Sequence, residues 1–231
     1  MATSALYTYQ RLESTIDFEG HIAILFFTRG CNFQCLFCHN PELIPYREGG
    51  MTYSELGSVL DRARQNWVDG VCITGGEPTM QPEIVETAKF IKLRGFDLKL
   101  DTQGSFPDRF REVMPFCDFI AMDYKSPIET YASITQVNPR GNDIRRSLEM
   151  LMRGKVDYEI RITIVPGIHT EDDMRAIGQE LHGVKRFVLQ TFIPRDNLPS
   201  KALRTAAKTP RPLLERYAEI CRDHFAEVVI R

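Results

Sequence analysis

The chain has 231 residues, of which 43% are hydrophobic and 26% are charged. This composition excludes a disordered chain, and the length suits one large domain around a single core. The 29 Lys and Arg residues nearly balance the 31 Asp and Glu residues, so a net charge of -2 gives no general reason to expect a nucleic-acid or membrane partner. We find no secretory signal pattern and no apolar run long enough to cross a bilayer, and therefore expect a cytoplasmic protein.

Apolar runs and helical patterns alternate along the chain. The first run, residues 22–28, is continuous, which is typical of a strand buried on both faces. A helix is predicted at 52–67, where Thr52 and Glu55 have the spacing of a capping box. Further strands are predicted at 71–74, 96–100, 119–122, 158–165 and 186–193, with helices near 84–91, 108–113, 144–152, 170–181 and 213–221.

Six such strand-and-helix units predict an α/β fold. We expect a partial (β/α)6 TIM-like barrel, an open parallel sheet with helices on its outer face. A doubly wound sheet is the alternative architecture. Residues 227–230 have the pattern of a short edge strand, and no linker divides the chain. The sequence therefore predicts a single domain over 1–231, in which 196–212 forms a loop or lid.

Three of the six cysteines crowd into one loop. Cys31, Cys35 and Cys38 follow the first predicted strand, at the edge where α/β proteins keep their active sites. Thiolate-rich sites select zinc, copper(I) or iron–sulfur clusters. Zinc would need a fourth ligand, and His39 is poorly placed for this beside Cys38. Three buried apolar thiols and a haem attachment pattern at 35–39 are further alternatives. In an iron–sulfur cluster, three ligands leave one iron open for a small molecule.

A second motif lies one strand-and-helix unit later. The predicted strand 71–74 is followed by Gly75, Gly76, Glu77 and Pro78. Two glycines let a backbone approach a ligand closely, and Glu77 offers a carboxylate to an ammonium group. By itself the segment is typical of a turn in which Pro78 opens a helix. Its place after the cysteine loop favours the ligand-binding interpretation.

These two motifs resemble those of the radical S-adenosylmethionine (SAM) enzymes. Cys31, Cys35 and Cys38 match the C-x3-C-x2-C signature of that superfamily. Phe37 matches the aromatic position that lies near the adenine, and residues 75–78 resemble the G-G-E-P segment. The resemblance implies a [4Fe-4S] cluster on the three cysteines, with SAM bound to the open iron.

Further segments resemble the enzymes that activate glycyl-radical proteins. Residues 100–104 are similar to their L-D-T-N-G segment, with glutamine where asparagine is usual. Residues 122–125 are similar to their D-L-K segment, with tyrosine replacing leucine, and Arg161 precedes a V-P-G at 165–167 as in their R-x3-V-P-G run. The similarity extends over about residues 16–193.

The opening segments point to one subgroup of these activating enzymes. Residues 15–20, 30–33 and 38–43 resemble the activating protein of anaerobic ribonucleoside-triphosphate reductase. The departure is at 18–20, where that subgroup tends to have an aromatic residue followed by Pro-Gly. This subgroup is the nearest match that we identify from the sequence.

The resemblance also implies which residues bind SAM. Asp101 and Asp123 end neighbouring predicted strands and match positions that in the activases help to hold a monovalent cation beside the methionine carboxylate. Taken separately, each aspartate is equally well explained as a helix cap or a solvated side chain. Lys125 either reaches the ligand carboxylate or makes a surface ion pair. The predicted cofactor-binding residues are Phe37, Gly75, Gly76, Glu77, Asp101, Thr102, Asp123, Lys125 and Arg161, and the predicted cluster ligands are Cys31, Cys35 and Cys38.

The implied chemistry is reductive cleavage of SAM to a 5′-deoxyadenosyl radical, which removes a hydrogen atom from the Cα of a glycine in a partner enzyme. It requires a low-potential one-electron donor such as flavodoxin or ferredoxin. It requires no general acid, base or nucleophile, so no further catalytic residue is predicted. We expect a substrate groove open to a protein loop. The alternatives are a radical SAM enzyme that modifies a small molecule, peptide or RNA, and a zinc or iron–sulfur module without enzymatic activity.

Overall fold

The computed structural model describes residues 2–10 and 13–231. Eight strands form one sheet, and their order in the sheet is their order in the chain. They are β1 (Thr8–Tyr9), β2 (Ala23–Thr28), β3 (Gly70–Gly75), β4 (Asp97–Thr102), β5 (Phe119–Asp123), β6 (Asp157–Ile164), β7 (Arg186–Thr191) and β8 (Glu227–Ile230). All neighbours from β2 to β8 are parallel, and β1 pairs with β2 in the antiparallel direction. In the described part of the chain β1 and β8 are the edges, so the sheet is open.

Within residues 2–10 and 13–231, eight α-helices connect and follow these strands. They are α1 (Tyr53–Gln65), α2 (Ile84–Leu93), α3 (Pro107–Val113), α4 (Tyr131–Thr135), α5 (Gly141–Arg153), α6 (Glu171–Glu180), α7 (Lys201–Arg204) and α8 (Arg211–Cys221). Thr52 and Glu55 form the expected capping box at the start of α1, and Thr170 caps α6. None of the described helices is long and apolar enough to span a membrane.

The main hydrophobic core lies between the sheet and the helices. Strand residues such as Leu98 and Ile162 pack there with helix residues such as Ile91 and Leu148. The opposite side chains of the same strands face the interior of the open barrel, because successive residues of a strand point to opposite faces. The sheet therefore separates an apolar outer layer from an inner surface that can carry polar groups.

The prediction of an open parallel sheet with outer helices is confirmed. The structure adds β1 and the short helix α4 to the predicted elements, and residues 227–230 form the edge strand β8. The segment 196–212 contains α7 and the first residues of α8. The predicted single domain over 1–231 includes Met1, Arg11 and Leu12, which lie outside the described residues.

Candidate active site

The loop after β2 carries the three clustered cysteines, and two distant segments hold its backbone. The amide of Gln34 donates to the carbonyl of Thr135 at 2.9 Å, and the amide of Leu36 donates to the carbonyl of Ile134 at 3.1 Å. Both acceptors lie at the end of α4. On the other side, the amide of Ser200 donates to the carbonyl of Leu36 at 3.1 Å. The loop is thus shaped by residues about one hundred or more positions away in sequence.

Gly75 and Gly76 bring the end of β3 against the start of this loop. A Cβ on Gly76 would lie 2.2 Å from the carbonyl oxygen of Gly30, and one on Gly75 would lie 2.6 Å from backbone atoms of Thr28. Gly75 also has a φ of +119°, which other residues rarely adopt. The amide of Glu77 donates to the carbonyl of Gly30 at 2.8 Å. The chain itself therefore makes a close approach that requires the two glycines, and their approach to a ligand stays a prediction.

Glu77 is completely buried, and its carboxylate accepts hydrogen bonds from β3 and β4 segments together. Donors to Oε1 are the hydroxyl of Thr102 at 2.6 Å, the hydroxyl of Thr79 at 2.5 Å and the amide of Thr79 at 2.9 Å. The amide of Gln103 donates to Oε2 at 2.8 Å. Burial raises the pKa of Glu77, and these donors oppose the rise. They also fix the direction of the carboxylate, so Thr102 supports Glu77.

Five charged side chains meet at the carboxyl ends of β4, β5 and β6. Arg161 lies between two carboxylates, with Nη2 3.2 Å from Oδ2 of Asp101 and Nε donating to Oδ1 of Asp123 at 2.9 Å. Lys99 Nζ lies 3.0 Å from Oδ1 of Asp101, and Lys125 Nζ donates to Oδ2 of Asp123 at 3.1 Å. Lys125 therefore pairs inside the barrel, where its side chain is 16% exposed, and not on the surface.

Burial and charge compete at this cluster. Burial by itself would raise the pKa of Asp123, but the positive charges of Arg161 and Lys125 outweigh it and hold the pKa well below its usual range. In the same way, the neighbouring carboxylates raise the pKa of Lys125 and of Arg161 against the effect of burial. All three groups stay ionised at neutral pH, so the site keeps a fixed pattern of charge.

The three thiols of the loop are harder to ionise than a free cysteine. Burial raises the pKa of Cys31 to about 12 and that of Cys35 to about 11, and it also raises the pKa of Cys38. The charge of Glu77 adds to the rise at Cys31, and the charge of Lys125 opposes it at Cys35. A cluster that binds these thiols must therefore displace their protons.

A cavity of about 230 Å³ brings the predicted residues together. Every predicted site residue except Arg161 lines it, namely Cys31, Cys35, Cys38, Phe37, Gly75, Gly76, Glu77, Asp101, Thr102, Asp123 and Lys125. Arg161 lines a second cavity of about 880 Å³, which lies between residues 15–19 and strands β6 to β8. The two cavities share His39, Thr163 and Gln190, so they lie next to each other.

A buried histidine that the sequence analysis did not select connects three parts of this site. Nδ1 of His169 accepts from the amide of Val165 at 2.9 Å, which leaves Nε2 as the donor to the carbonyl oxygen of Lys125 at 2.9 Å. The ring of His169 meets that of Phe37 edge-on, with 6.4 Å between the centroids. Burial lowers the pKa of His169, which keeps the ring neutral. Its only sequence signal is its place two residues after the V-P-G segment.

Residues 196–212 pack against the cysteine loop. Leu198 and Leu203 join Phe37 and Val165 in a second, smaller hydrophobic cluster. These leucines are buried although the segment as a whole is polar. The segment therefore covers one side of the loop, and its movement as a lid stays a prediction.

The three thiols of the loop can serve as the ligands of one cluster. Among residues 2–10 and 13–231, no three His, Cys, Asp or Glu side chains come close enough together to ligate one metal ion. In a cubane cluster each thiolate binds a different iron, so its three ligands lie farther apart than those of a tetrahedral zinc ion. Cys31, Cys35 and Cys38 all line one cavity, so three thiols are available where such a cluster would lie.

Comparison with known families agrees with this site. The radical SAM superfamily model matches residues 25–179. The chain belongs to the radical SAM superfamily. The matched range contains the cysteine loop, the Gly75–Glu77 segment and the charged cluster around Arg161, and these parts contribute lining residues to the two cavities. Membership in the superfamily implies a [4Fe-4S] cluster and SAM as cofactors.

Relatives of this radical SAM protein include activating enzymes. It is 28% identical over 228 residues to a Methanocaldococcus jannaschii protein assigned as a glycyl-radical enzyme activating enzyme. The aligned residues cover 94% of this chain and 92% of that protein. It is 27% identical over 195 residues to the pyruvate formate-lyase-activating enzyme of Staphylococcus epidermidis, and these residues cover 77% of each chain. These relatives confirm the resemblance to radical SAM enzymes of the activating type.

Solved structures share the fold of this radical SAM protein. Streptococcus suis SuiB bound to S-adenosylmethionine matches with a TM-score of 0.66 and 13% identity, over 87% of this chain and 48% of that chain. A domain of pyruvate-formate lyase-activating enzyme from Bacteroides vulgatus matches with a TM-score of 0.56 and 19% identity, over 70% of this chain and 98% of that chain. At these identities the likeness concerns the fold alone.

Proposed function

We propose that this radical SAM enzyme makes a glycyl radical in a partner enzyme such as anaerobic ribonucleotide reductase. The observation that supports the proposal most directly is that three thiols, Glu77 and Lys125 line one cavity with a second, larger one beside it. The first suits a cofactor, and the second leaves room for a polypeptide loop to reach it. The names of the relatives at 27% and 28% identity agree with this substrate class.

In this proposal Cys31, Cys35 and Cys38 hold a [4Fe-4S] cluster, which when reduced supplies the electron that cleaves bound SAM to a 5′-deoxyadenosyl radical. Glu77 accepts a hydrogen bond from the ammonium group of SAM, because neighbouring donors already fix its carboxylate toward the cavity. Lys125 binds the SAM carboxylate.

Other residues orient the cofactor and keep the site in shape. Phe37 is 6% exposed and offers an apolar ring to the adenine. Arg161 holds Asp101 and Asp123 together and so positions Lys125 through its ion pair with Asp123. The partner's glycine loop enters through the second cavity and excludes water when it is in place. Hydrogen-atom transfer from the glycine Cα needs no acid or base from the chain.

A monovalent cation beside Asp101 and Asp123 is a further hypothesis within this proposal. Lys99, Lys125 and Arg161 already supply three positive charges next to the two aspartates. The carboxylate of SAM would add one negative charge. Titration with potassium chloride at constant ionic strength tests the cation: SAM affinity that rises with potassium supports it, and unchanged affinity indicates that Arg161 takes its place.

The central experiment is anaerobic reconstitution with iron and sulfide, followed by incubation with SAM, a chemical reductant and the anaerobic ribonucleotide reductase of the same organism. We expect 5′-deoxyadenosine by chromatography and a glycyl-radical doublet by EPR on the reductase. Nucleoside without the doublet would favour a radical SAM enzyme for a small molecule, peptide or RNA. Bound zinc without nucleoside would favour a non-enzymatic module and overturn the proposal.

A further inference from the structure

The segment 195–208, which we call the basic strap, has an unusual concentration of unpaired positive charge. It contains four basic residues and one acidic residue, Asp196. The basic residues are Arg195, Lys201, Arg204 and Lys208, and none of them forms an ion pair with any residue that the structure describes. Other basic residues of the surface, such as Arg175 and Arg222, have acidic partners.

The residues directly after the strap provide the contrast. Arg211 pairs with Glu215 at 2.9 Å, and Arg216 pairs with Glu171. Lys201 and Lys208 are exposed and line neither of the two cavities. Their charge is therefore available to a molecule in solution and is not used to hold the fold.

The basic strap lies directly against the cysteine loop. The amide of Ser200 donates to the carbonyl of Leu36 at 3.1 Å, and the side chain of Asn197 donates to the carbonyl of His39 at 3.2 Å. Leu198 packs in the same apolar cluster as Phe37. The strap that carries the unpaired cations thus contacts the backbone on both sides of Cys38, so a molecule bound to the strap would be close to a cluster on this loop.

We propose that the basic strap docks an acidic one-electron carrier, a flavoprotein or an iron–sulfur protein, that reduces the cluster. This inference rests on the proposed function. Cleavage of SAM to a carbon radical consumes one electron that neither SAM nor the glycine supplies. The carrier loses that electron and the cluster gains it, and no covalent bond forms or breaks in the transfer.

Electrostatics suits such an encounter. Complexes between electron carriers and their targets are small and transient, so they depend on the rate of encounter more than on buried area. A patch of one sign raises the association rate of an oppositely charged partner by about 10- to 1,000-fold at low ionic strength. Exposed charges at the rim of an interface act mainly on this rate and on its salt dependence. Lys201 and Lys208 meet these conditions.

The test reverses two charges on the strap and two elsewhere. The variant is Lys201→Glu with Lys208→Glu, and the matched control is Lys155→Glu with Lys185→Glu. Both control lysines are exposed, form no ion pair within the described residues and precede β6 and β7, at the opposite ends of the strands from the cysteine loop. Surface changes of this kind alter the free energy of unfolding by about 0.5 kcal/mol or less. Thermal melts check that both proteins fold.

The probe is a purified acidic flavodoxin, photoreduced and mixed anaerobically with the cluster-loaded protein in a stopped-flow instrument. We expect the second-order rate of cluster reduction to fall about 10-fold in the strap variant at low salt, and to depend less on salt than in the wild type. The control should keep the wild-type rate. In a titration with oxidised flavodoxin, where no turnover occurs, the strap variant should bind more weakly than the wild type and the control.

A second reductant separates the possible failures. Photoreduced deazariboflavin, which is small and needs no docking surface, should reduce all three proteins equally and support equal glycyl-radical yields. Equal flavodoxin rates in all three proteins, or no reduction of the wild type by flavodoxin, would overturn the inference alone. Loss of glycyl radical in the strap variant with deazariboflavin would assign the strap to the glycyl-radical enzyme instead. Failure of the wild type to assemble a cluster would overturn the proposed function as well.

Discussion

The two faces of strand β4 show how differently this sheet uses its two sides. Leu98 and Leu100 face the helices and are fully buried in the main core. Lys99 and Asp101, which alternate with them, face the barrel interior and form an ion pair with 3.0 Å between Nζ of Lys99 and Oδ1 of Asp101. Strand β6 repeats the pattern, with isoleucines on the outer side and Arg161 on the inner side.

The difference follows from the cost of burying charge. An apolar side chain on the outer face gains free energy from leaving water, wherever its neighbours are. A buried charged side chain on the inner face is tolerated only if a partner of opposite sign lies beside it, on the same strand or on another. Each apolar side chain of the outer face therefore stabilises the fold separately. The charged side chains of the inner face depend on one another, and their network forms only when several strands are paired. The expected outcomes below test this division.

The largest effect is expected at the cysteine loop. Cys35→Ala removes a thiol that lines the first cavity, so the reconstituted protein should lose the absorbance and the EPR signal of a [4Fe-4S] cluster. Cys221→Ala is the matched control, because Cys221 is equally a buried free thiol but lies in α8. It should keep the cluster and lower only the free energy of unfolding. An intact cluster in the first variant would contradict the assignment of the ligands.

A change on each face should separate binding from stability. Glu77→Gln replaces a charged acceptor in the cavity and should weaken SAM binding about 10- to 100-fold, since hydrogen bonds to charged groups contribute about 1.5–3 kcal/mol. Ile162→Ala on the outer face should instead lower the free energy of unfolding by about 2–5 kcal/mol. Equilibrium SAM binding and urea unfolding are measured for both. Unchanged SAM affinity in the Glu77 variant would show that this carboxylate only stabilises the fold.

His169 should affect the cofactor although it lies behind the cavity. His169→Ala breaks the connection between Lys125 and the Val165 turn and removes the ring against Phe37. We expect SAM affinity to fall several-fold, whereas the rate of SAM cleavage at saturating SAM should stay near that of the wild type. Tyr217→Phe is the control, because the Tyr217 hydroxyl donates to the His169 carbonyl at 2.7 Å without contacting the site residues linked by the ring. If both variants lose stability and neither loses affinity, His169 is purely structural.

The smallest effect concerns acid stability. The pKa of Asp123 is lower in the folded protein than in the unfolded chain, so its ionised form stabilises the fold above the unfolded pKa. This contribution is lost as the pH falls from about 4, the ordinary value for aspartate, toward the folded pKa. Asp123→Asn should make the free energy of unfolding less dependent on pH below about 4 in urea titrations. An unchanged slope would mean that the ion pair with Arg161 is too exposed to matter.

The outer face is the part of the fold that could be predicted. The continuous run at 22–28 and the later apolar runs predicted the parallel strands, because burial on the core side selects hydrophobic residues locally. Helix α4 was not predicted, since five residues are too short for a helical repeat to stand out. Yet α4 supplies the carbonyls that hold the cysteine loop.

For the inner face, the sequence predicted which residues belong to the site but not how they contact one another. Motifs identified the thiols, Glu77 and the aspartates, because each occurs in a short segment with its own spacing. Each aspartate has one partner two positions away, but the partner that they share is distant. Arg161 is 60 positions from Asp101 and 38 from Asp123, and all three meet only in the folded sheet. His169 had no signal that distinguished it from an ordinary histidine.

The amino-acid sequence by itself determined the alternation of strands and helices and the identity of the groups at the strand ends. Those properties depend on local hydrophobic periodicity and on short motifs. Only the tertiary structure decided that Arg161 lies between two carboxylates, that Gly76 touches Gly30 and that His169 links Lys125 to Phe37. These contacts join segments that are distant in the chain, and their energies exist only when burial removes water from between them.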